Sequence, residues 1–127
     1  MYNTEIVELI IQNSSHAINI NEKWNDATPL EIACEKGSIE IVRILLKQEG
    51  IQVNPTDKHE VPPLLCACEI WRTDIIKPLL TEVEDINVDV LQSDRRSSLH
   101  YSFEKGDAEI TSMILSKSAK NINNENR

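Results

Sequence analysis

Three cysteines and three histidines are the side chains of this 127-residue sequence best suited to chemistry, and "CAC" at 66 to 68 crowds two of them together. As a metal site the set is poorly arranged. Structural zinc takes four ligands, commonly from Cys-x-x-Cys and His-x-x-x-His spacings, and neither spacing joins Cys34, Cys66 and Cys68 to His16, His59 and His100. No metal and no cofactor are expected. The acids Glu82, Glu84 and Asp85 are close in sequence but lie in a turn segment, where they read as a solvated face rather than a general acid and base. Gly-rich phosphate loops, Ser-His-Asp motifs and nucleophile elbows are missing from the sequence. An enzyme assembled from distant residues stays a third alternative to which no residue is assigned, and a non-enzymatic chain is the expectation.

The balance of side chains narrows the class of partner. With 13 basic against 21 acidic side chains the net charge is -8, and phosphate binding draws its energy from Lys and Arg, so neither nucleic acid nor an anionic membrane is an expected partner. No apolar run reaches the roughly 18 residues that would span a bilayer, and "MYNTEIVELI" carries glutamates where a secretory leader carries a basic region. An odd number of cysteines without paired spacing does not suit a secreted disulfide framework, so an intracellular, cytoplasmic setting is expected. Hydrophobic residues make up 40% of the chain but aromatics only 4%, so a core of Leu, Ile, Val and Ala in packed helices is expected, in one domain.

The elements that would position these residues are punctuated in "TPLEIACEKGSIEIVRILL". Thr28-Pro29 is a helix start, because proline at the first helical position has a preset φ and no N–H to leave unpaired. The spacing predicts a helix over 29–36, ended by a left-handed Gly37, and a second helix capped by Ser38 with Glu40 near its positive end. Ile41, Val42, Ile44, Leu45 and Leu46 make an apolar face too wide for one partner, so the unit must stack on copies of itself. It recurs. "VPPLLCACEIWRTDIIKPLL" places Pro62 on Thr28, Ala67 on Ala33, Cys68 on Cys34 and Leu79-Leu80 on Leu45-Leu46. "SSLHYSFEKGDAEITSMIL" places Ser97 on Pro62, Ser102 on Ala67, Gly106 on Trp71 and Ile114-Leu115 on Leu79-Leu80. "TEIVELII" near the N-terminus repeats only the second helix.

In these segments the sequence resembles the ankyrin repeat, whose pattern is Thr-Pro-Leu-His-x-Ala, a Gly turn, an Ile-Val and Leu-Leu helix, and a turn ending in Val-Asn. The resemblance implies an all-α, ankyrin-type helical repeat solenoid of paired antiparallel helices with β-turn loops. One domain over 1–127 is expected, with an N-terminal half-repeat and turn at 1–27 and repeats at 28–61, 62–96 and 97–127. His100 stands at the family's His, which implies a structural hydrogen bond to nearby backbone. Cys34 and Cys68 occupy equivalent places on stacked first helices about 8 to 10 Å apart, too far for a disulfide, whose Cα atoms lie within roughly 7 Å.

The departures from the pattern carry expectations too. Asp26, Glu60 and Arg95 stand where the family has Gly before the Thr-Pro position, and the stretch from Asn19 to Thr28 is one residue longer than that from Asn54 to Pro62. Trp71 replaces the Gly that ends a first helix, and Pro78 inside a second helix predicts a kink or a late helix start. "NINNENR", with Asn123 as far after Leu115 as Asn54 is after Leu46, reads as the lead-in to a further turn or as a short polar tail.

The resemblance also implies a face. In stacked ankyrin repeats the turns and first helices line a concave side that commonly binds proteins, and the register carries its variable positions over. They are Trp24, Asn25, Ala27, Glu35 and Lys36, then Lys58, His59, Val61, Glu69 and Ile70, then Ser93, Asp94, Arg96, Glu104 and Lys105. Trp24 serves either binding or packing over a neighbouring turn, whereas packing is the favoured role of Trp71. A protein-interaction module is therefore expected, with a spacer or regulatory domain of a longer chain as the alternative. A monomer is expected, with self-association through the last repeat around Ile110, Ile114 and Leu115 as the other possibility.

Overall fold

The computed structural model describes residues 20–23, 26–55, 60–92 and 94–125, and at 120–125 the backbone alone. Among them six helices form three pairs: α1 (Pro29–Lys36) with α2 (Ile39–Leu46), α3 (Pro63–Ile70) with α4 (Thr73–Glu82), and α5 (Ser98–Lys105) with α6 (Ala108–Glu125). The first helices α1, α3 and α5 pack on one another in series, and so do the second helices α2, α4 and α6. The result is a two-row helical repeat solenoid.

The pairs share the way their first helices end, while reciprocal caps open α1 and α5 but not α3, where Pro62 makes no capping bond. In the first, Thr28 and Glu31 form a reciprocal cap: the Thr28 N–H donates to Glu31 Oε1 at 2.9 Å and the Glu31 N–H to Thr28 Oγ1 at 3.3 Å. Gly37, Trp71 and Gly106 end the first helices at φ of 72°, 52° and 68°. The next residues return their N–H groups to Ala33, Ala67 and Ser102 carbonyls at 2.9, 3.1 and 3.2 Å. Trp71 thus takes the left-handed conformation that glycine takes in its neighbours, and packs half-buried against the core. Gly37 is also needed for space, because a Cβ there would come within 2.5 Å of Arg72 Nη1, which donates to the Gly37 carbonyl at 2.9 Å and ties the pairs together.

The repeat register becomes layers of core. Ile41, Ile75 and Ile110 are 0–4% exposed, as are Leu45, Leu79 and Ile114. The third pair replaces the apolar Ala67 and Ile76 with Ser102 and Thr111, which satisfy each other. Thr111 Oγ1 lies 2.9 Å from Ser102 Oγ and 2.7 Å from the Asp107 carbonyl, while Ser102 donates to Leu99.

Several expectations change. Ser38 stands at the start of α2, but its side chain makes no capping bond; Asp107 does, accepting from the Ile110 N–H at 3.0 Å. No late start accompanies Pro78: α4 begins at Thr73 and runs through the proline, its flanks Ile75, Ile76, Leu79 and Leu80 fixed by nearly complete burial. The segment after Leu115 is no lead-in to a turn, because α6 continues to Glu125. No Gly or Pro follows Gly106 to stop it. In the first turn Asn21 acts as a clamp. Asn21 donates to the Gly50 carbonyl at 2.8 Å and accepts from the Gln52 N–H at 2.9 Å, and Asn54 repeats this on Asp85 and Asn87 at 2.9 and 2.7 Å. In the third pair α6 takes over, with Lys117 Nζ donating to the Val83 and Glu84 carbonyls at 3.0 and 3.1 Å. The N-terminal half-repeat expected within 1–27 lies mostly outside the described residues.

Candidate interaction face

Asp26–Thr28 lead into α1, Glu60–Pro62 into α3 and the turn closed by Gln92 and Arg96 into α5, so these described residues and the first helices recur in the same order along the stack. Asp26 and Arg95 hold these turns in shape by adopting φ of 67°, the conformation for which the resemblance offers glycine. The third turn closes tightly, the Gln92 N–H donating to the Arg96 carbonyl and the Arg95 N–H to the Gln92 carbonyl, both at 2.8 Å.

Of the positions carried over by register, Glu35, Lys36, Val61, Glu69, Ile70, Asp94, Glu104 and Lys105 are exposed, and Ala27 and Arg96 are half-buried. Trp24, Asn25, Lys58, His59 and Ser93 lie outside the described residues. The structure joins three of them through two residues that sequence reasoning did not select. Glu69 at the end of α3 accepts from Gln92 Nε2. Gln92 Oε1 accepts from the Tyr101 hydroxyl at 2.7 Å. The Arg96 guanidinium lies 4.5 Å from the centre of the Tyr101 ring and 2.9 Å from Glu104. Gln92 and Tyr101 left one usable signal: a phenol on a first helix with a polar turn residue nine positions before it. Next to network members in sequence are two exposed apolar side chains, Ile70 (44%) after Glu69 and Leu91 (51%) before Gln92, and Val61 (39%) is exposed ahead of α3.

A second cluster was not anticipated. Glu31 is 1% exposed although it stands in the family's His position, and Glu60 is 6% exposed although it stands in a turn. Lys23 Nζ lies 2.8 Å from Glu60 Oε1. Glu31 Oε1 is used by the cap, whereas Oε2 is buried with no donor among the described residues. Burial, and then the Glu60 carboxyl against it, raise the Glu31 pKa to about 8; the Thr28 N–H and Lys23 act in the opposite direction. Two ionised carboxylates have no hydrogen to share, and one added proton supplies it.

His100 works as the resemblance implied, its Nδ1 accepting from the Ser97 N–H at 3.1 Å. Cys34, Cys66 and Cys68 are free, buried thiols. Burial pushes Cys34 and Cys68 up to about 12 and Cys66 higher still, which keeps them protonated and unreactive. Among the described residues no three His, Cys, Asp or Glu side chains converge as metal ligands, and no helix is long and apolar enough to cross a membrane.

Comparison with known proteins agrees with this architecture. A family model described as ankyrin repeats, in three copies, matches residues 1–57. A transient receptor potential cation channel, subfamily A member 1, of Drosophila melanogaster is 31% identical over 73% of the chain and 8% of its own length. A probable serine/threonine-protein kinase of Dictyostelium discoideum is 32% identical over 80% of the chain and 13% of its own. An ankyrin repeat-containing protein of Schizosaccharomyces pombe is 27% identical over 93% and 50%. The chain thus spans half or less of the length of each of these relatives. With the capped helix pairs, the left-handed turn ends and the 34- to 35-residue register, these matches establish that the chain belongs to the ankyrin-repeat family.

Proposed function

We propose that residues 1–127 form a single ankyrin-repeat domain whose turns and first helices bind a protein partner, without enzymatic activity of their own. The observation that carries the reading is the Glu69–Gln92–Tyr101–Arg96–Glu104 network. It orders long polar side chains before a partner arrives, which lowers the entropy lost on binding. Ile70 and Leu91, next to its members in sequence, and Val61 ahead of α3 supply exposed apolar area, and an apolar centre with a polar rim is the combination that protein interfaces use. An overall charge of -8 with mixed signs on this face favours a protein over a polyanion, and three protonated thiols suit a reducing, intracellular compartment.

A second reading, a spacing or regulatory domain within a longer protein, draws support from the small share of the channel and kinase relatives that the chain covers. The two readings separate in one experiment. Affinity capture from source cells uses the chain, an Ile70→Ala/Arg96→Glu variant of the face, and an Arg43→Glu control on the exposed side of α2. The binding reading expects the face variant, folded by circular dichroism, to lose a partner that the control retains. Retention by both variants contradicts the assigned face, and no partner for any chain supports the spacer.

A further inference from the structure

We propose that the outer side of the last helix pair is a self-complementary face through which two copies of the chain associate end to end about a two-fold axis. The face is a groove of about 500 Å³ lined by Phe103 and Leu115 together with the small residues Gly106, Ala108 and Ser112. Phe103 is 67% exposed and Leu115 50%. Ile110 and Ile114, the other residues expected at such a contact, are buried within the chain instead.

The repeat register tells what kind of surface closes such a groove. Phe103 stands on Cys68 and Cys34, each 0% exposed, and Leu115 stands on Leu80, which is 2% exposed. In the first two pairs these positions lie in the rows that the following pair extends, α3 on α1 and α5 on α3, α4 on α2 and α6 on α4. At the glycine the contrast reaches single atoms. A Cβ on Gly37 would meet Arg72 and Ile70 of the next pair, whereas one on Gly106 would stand in open space. Among the described residues no fourth pair covers the groove. The second helices α2 and α4 end at Leu46 and Glu82, but α6 runs on to Glu125, about 15 Å along its axis beyond Leu115, without turning back.

A second copy fits because this face carries both halves of a contact. Phe103 is an exposed aromatic knob, and the groove beside Gly106, Ala108 and Ser112 is its hole. A cavity of roughly 150 Å³ is enough to take benzene, so the groove admits a phenyl ring. A two-fold interface needs knob and hole on one patch, since both subunits present the same surface. Charge does not oppose the contact, although the chain carries -8. Glu104 and Glu109, on the helices that form the groove, are already paired with Arg96 at 2.9 Å and Lys77 at 2.7 Å. Lys105 and Asp107 flank Gly106 with opposite signs, so two facing copies can pair each Lys105 with the other copy's Asp107. The end face shares Lys105 with the proposed turn-side face and does not rest on that reading.

Sedimentation equilibrium of the chain alone at rising concentration tests this without any other protein. The mass is expected to rise from one chain to two and stop there, because a two-fold contact uses up the face. Phe103→Ser and Leu115→Ser change exposed side chains, so both should keep the helical circular dichroism of the parent while weakening the dimer by roughly tenfold or more. Leu91→Ser, at an equally exposed apolar position on the turn side, should leave the dimer unchanged. A mass of one chain at every concentration up to roughly 1 mM overturns the proposal. So does a dimer that survives both Phe103→Ser and Leu115→Ser, or one that only Leu91→Ser disrupts. Growth beyond two chains marks a head-to-tail contact and overturns the two-fold face.

Discussion

Two kinds of buried polar side chain behave oppositely at the level of single residues. The thiols of Cys34, Cys66 and Cys68 are held neutral by burial at no cost, since a thiol is neutral at physiological pH anyway. At pH 8 a thiol raised to about 12 is thiolate in roughly one molecule in ten thousand, so all three should resist iodoacetamide in the folded chain and react in denaturant. Rapid native alkylation, read by mass spectrometry, would place them elsewhere. Glu31 differs because its ordinary form at neutral pH is charged. Its folded pKa, about 8, lies above the unfolded value of 4.5, so folding favours the protonated form. That contribution is fully present below pH 4.5 and is lost as pH rises through the window to about 8. Urea midpoints should therefore fall between those pH values, and Glu31→Gln should flatten the curve and stabilise the chain at pH 8 by about 1–3 kcal/mol. The capping role of Glu31 could be foreseen from Thr28-x-x-Glu31, but the burial of Glu31 and of Glu60, which stands where the family has a turn glycine, could not.

Elements were legible where punctuation is strong. Thr28-Pro29 and Gly37 bound α1 at the residues expected, because each fixes a backbone torsion locally. Legibility failed where tertiary burial outvotes propensity, as at Pro78, and where a polar run lacks any stop residue, as in α6. Likewise the Gln92–Tyr101 bond joins a turn to a helix face, and its one trace in the sequence, a polar turn residue nine positions before a phenol, does not specify the bond. The turn residues Asp26 and Arg95 carry a cost that the family's glycine avoids, since a left-handed side-chain residue is disfavoured by about 1–2 kcal/mol. Arg95→Gly should recover about 0.5–1 kcal/mol after allowing for the greater freedom of glycine in the unfolded chain. Gly37→Ala should lose at least as much, because φ is 72° and the Arg72 guanidinium occupies the space a Cβ needs. Thermal melts of the two variants moving in opposite directions would support this account of the turns, and a gain from Gly37→Ala would contradict it.

The whole molecule is a stack in which each pair completes its neighbour's core, so damage in one repeat should propagate. Ile41 is 4% exposed between rows, and Ile41→Asp buries a charge with no partner, for an expected loss of about 4 kcal/mol or more. A cooperative melt at unchanged temperature would refute the register. The same stacking sets turn residues and first helices together, and this is the side proposed to meet a protein. Hydrogen exchange of the chain with and without its captured partner distinguishes this side from the others. Protection is predicted at Val61, Glu69–Ile70 and Leu91–Arg96, with α2 and α4 unchanged. Protection confined to the exposed sides of α2 and α4, with the turns unaffected, would contradict it.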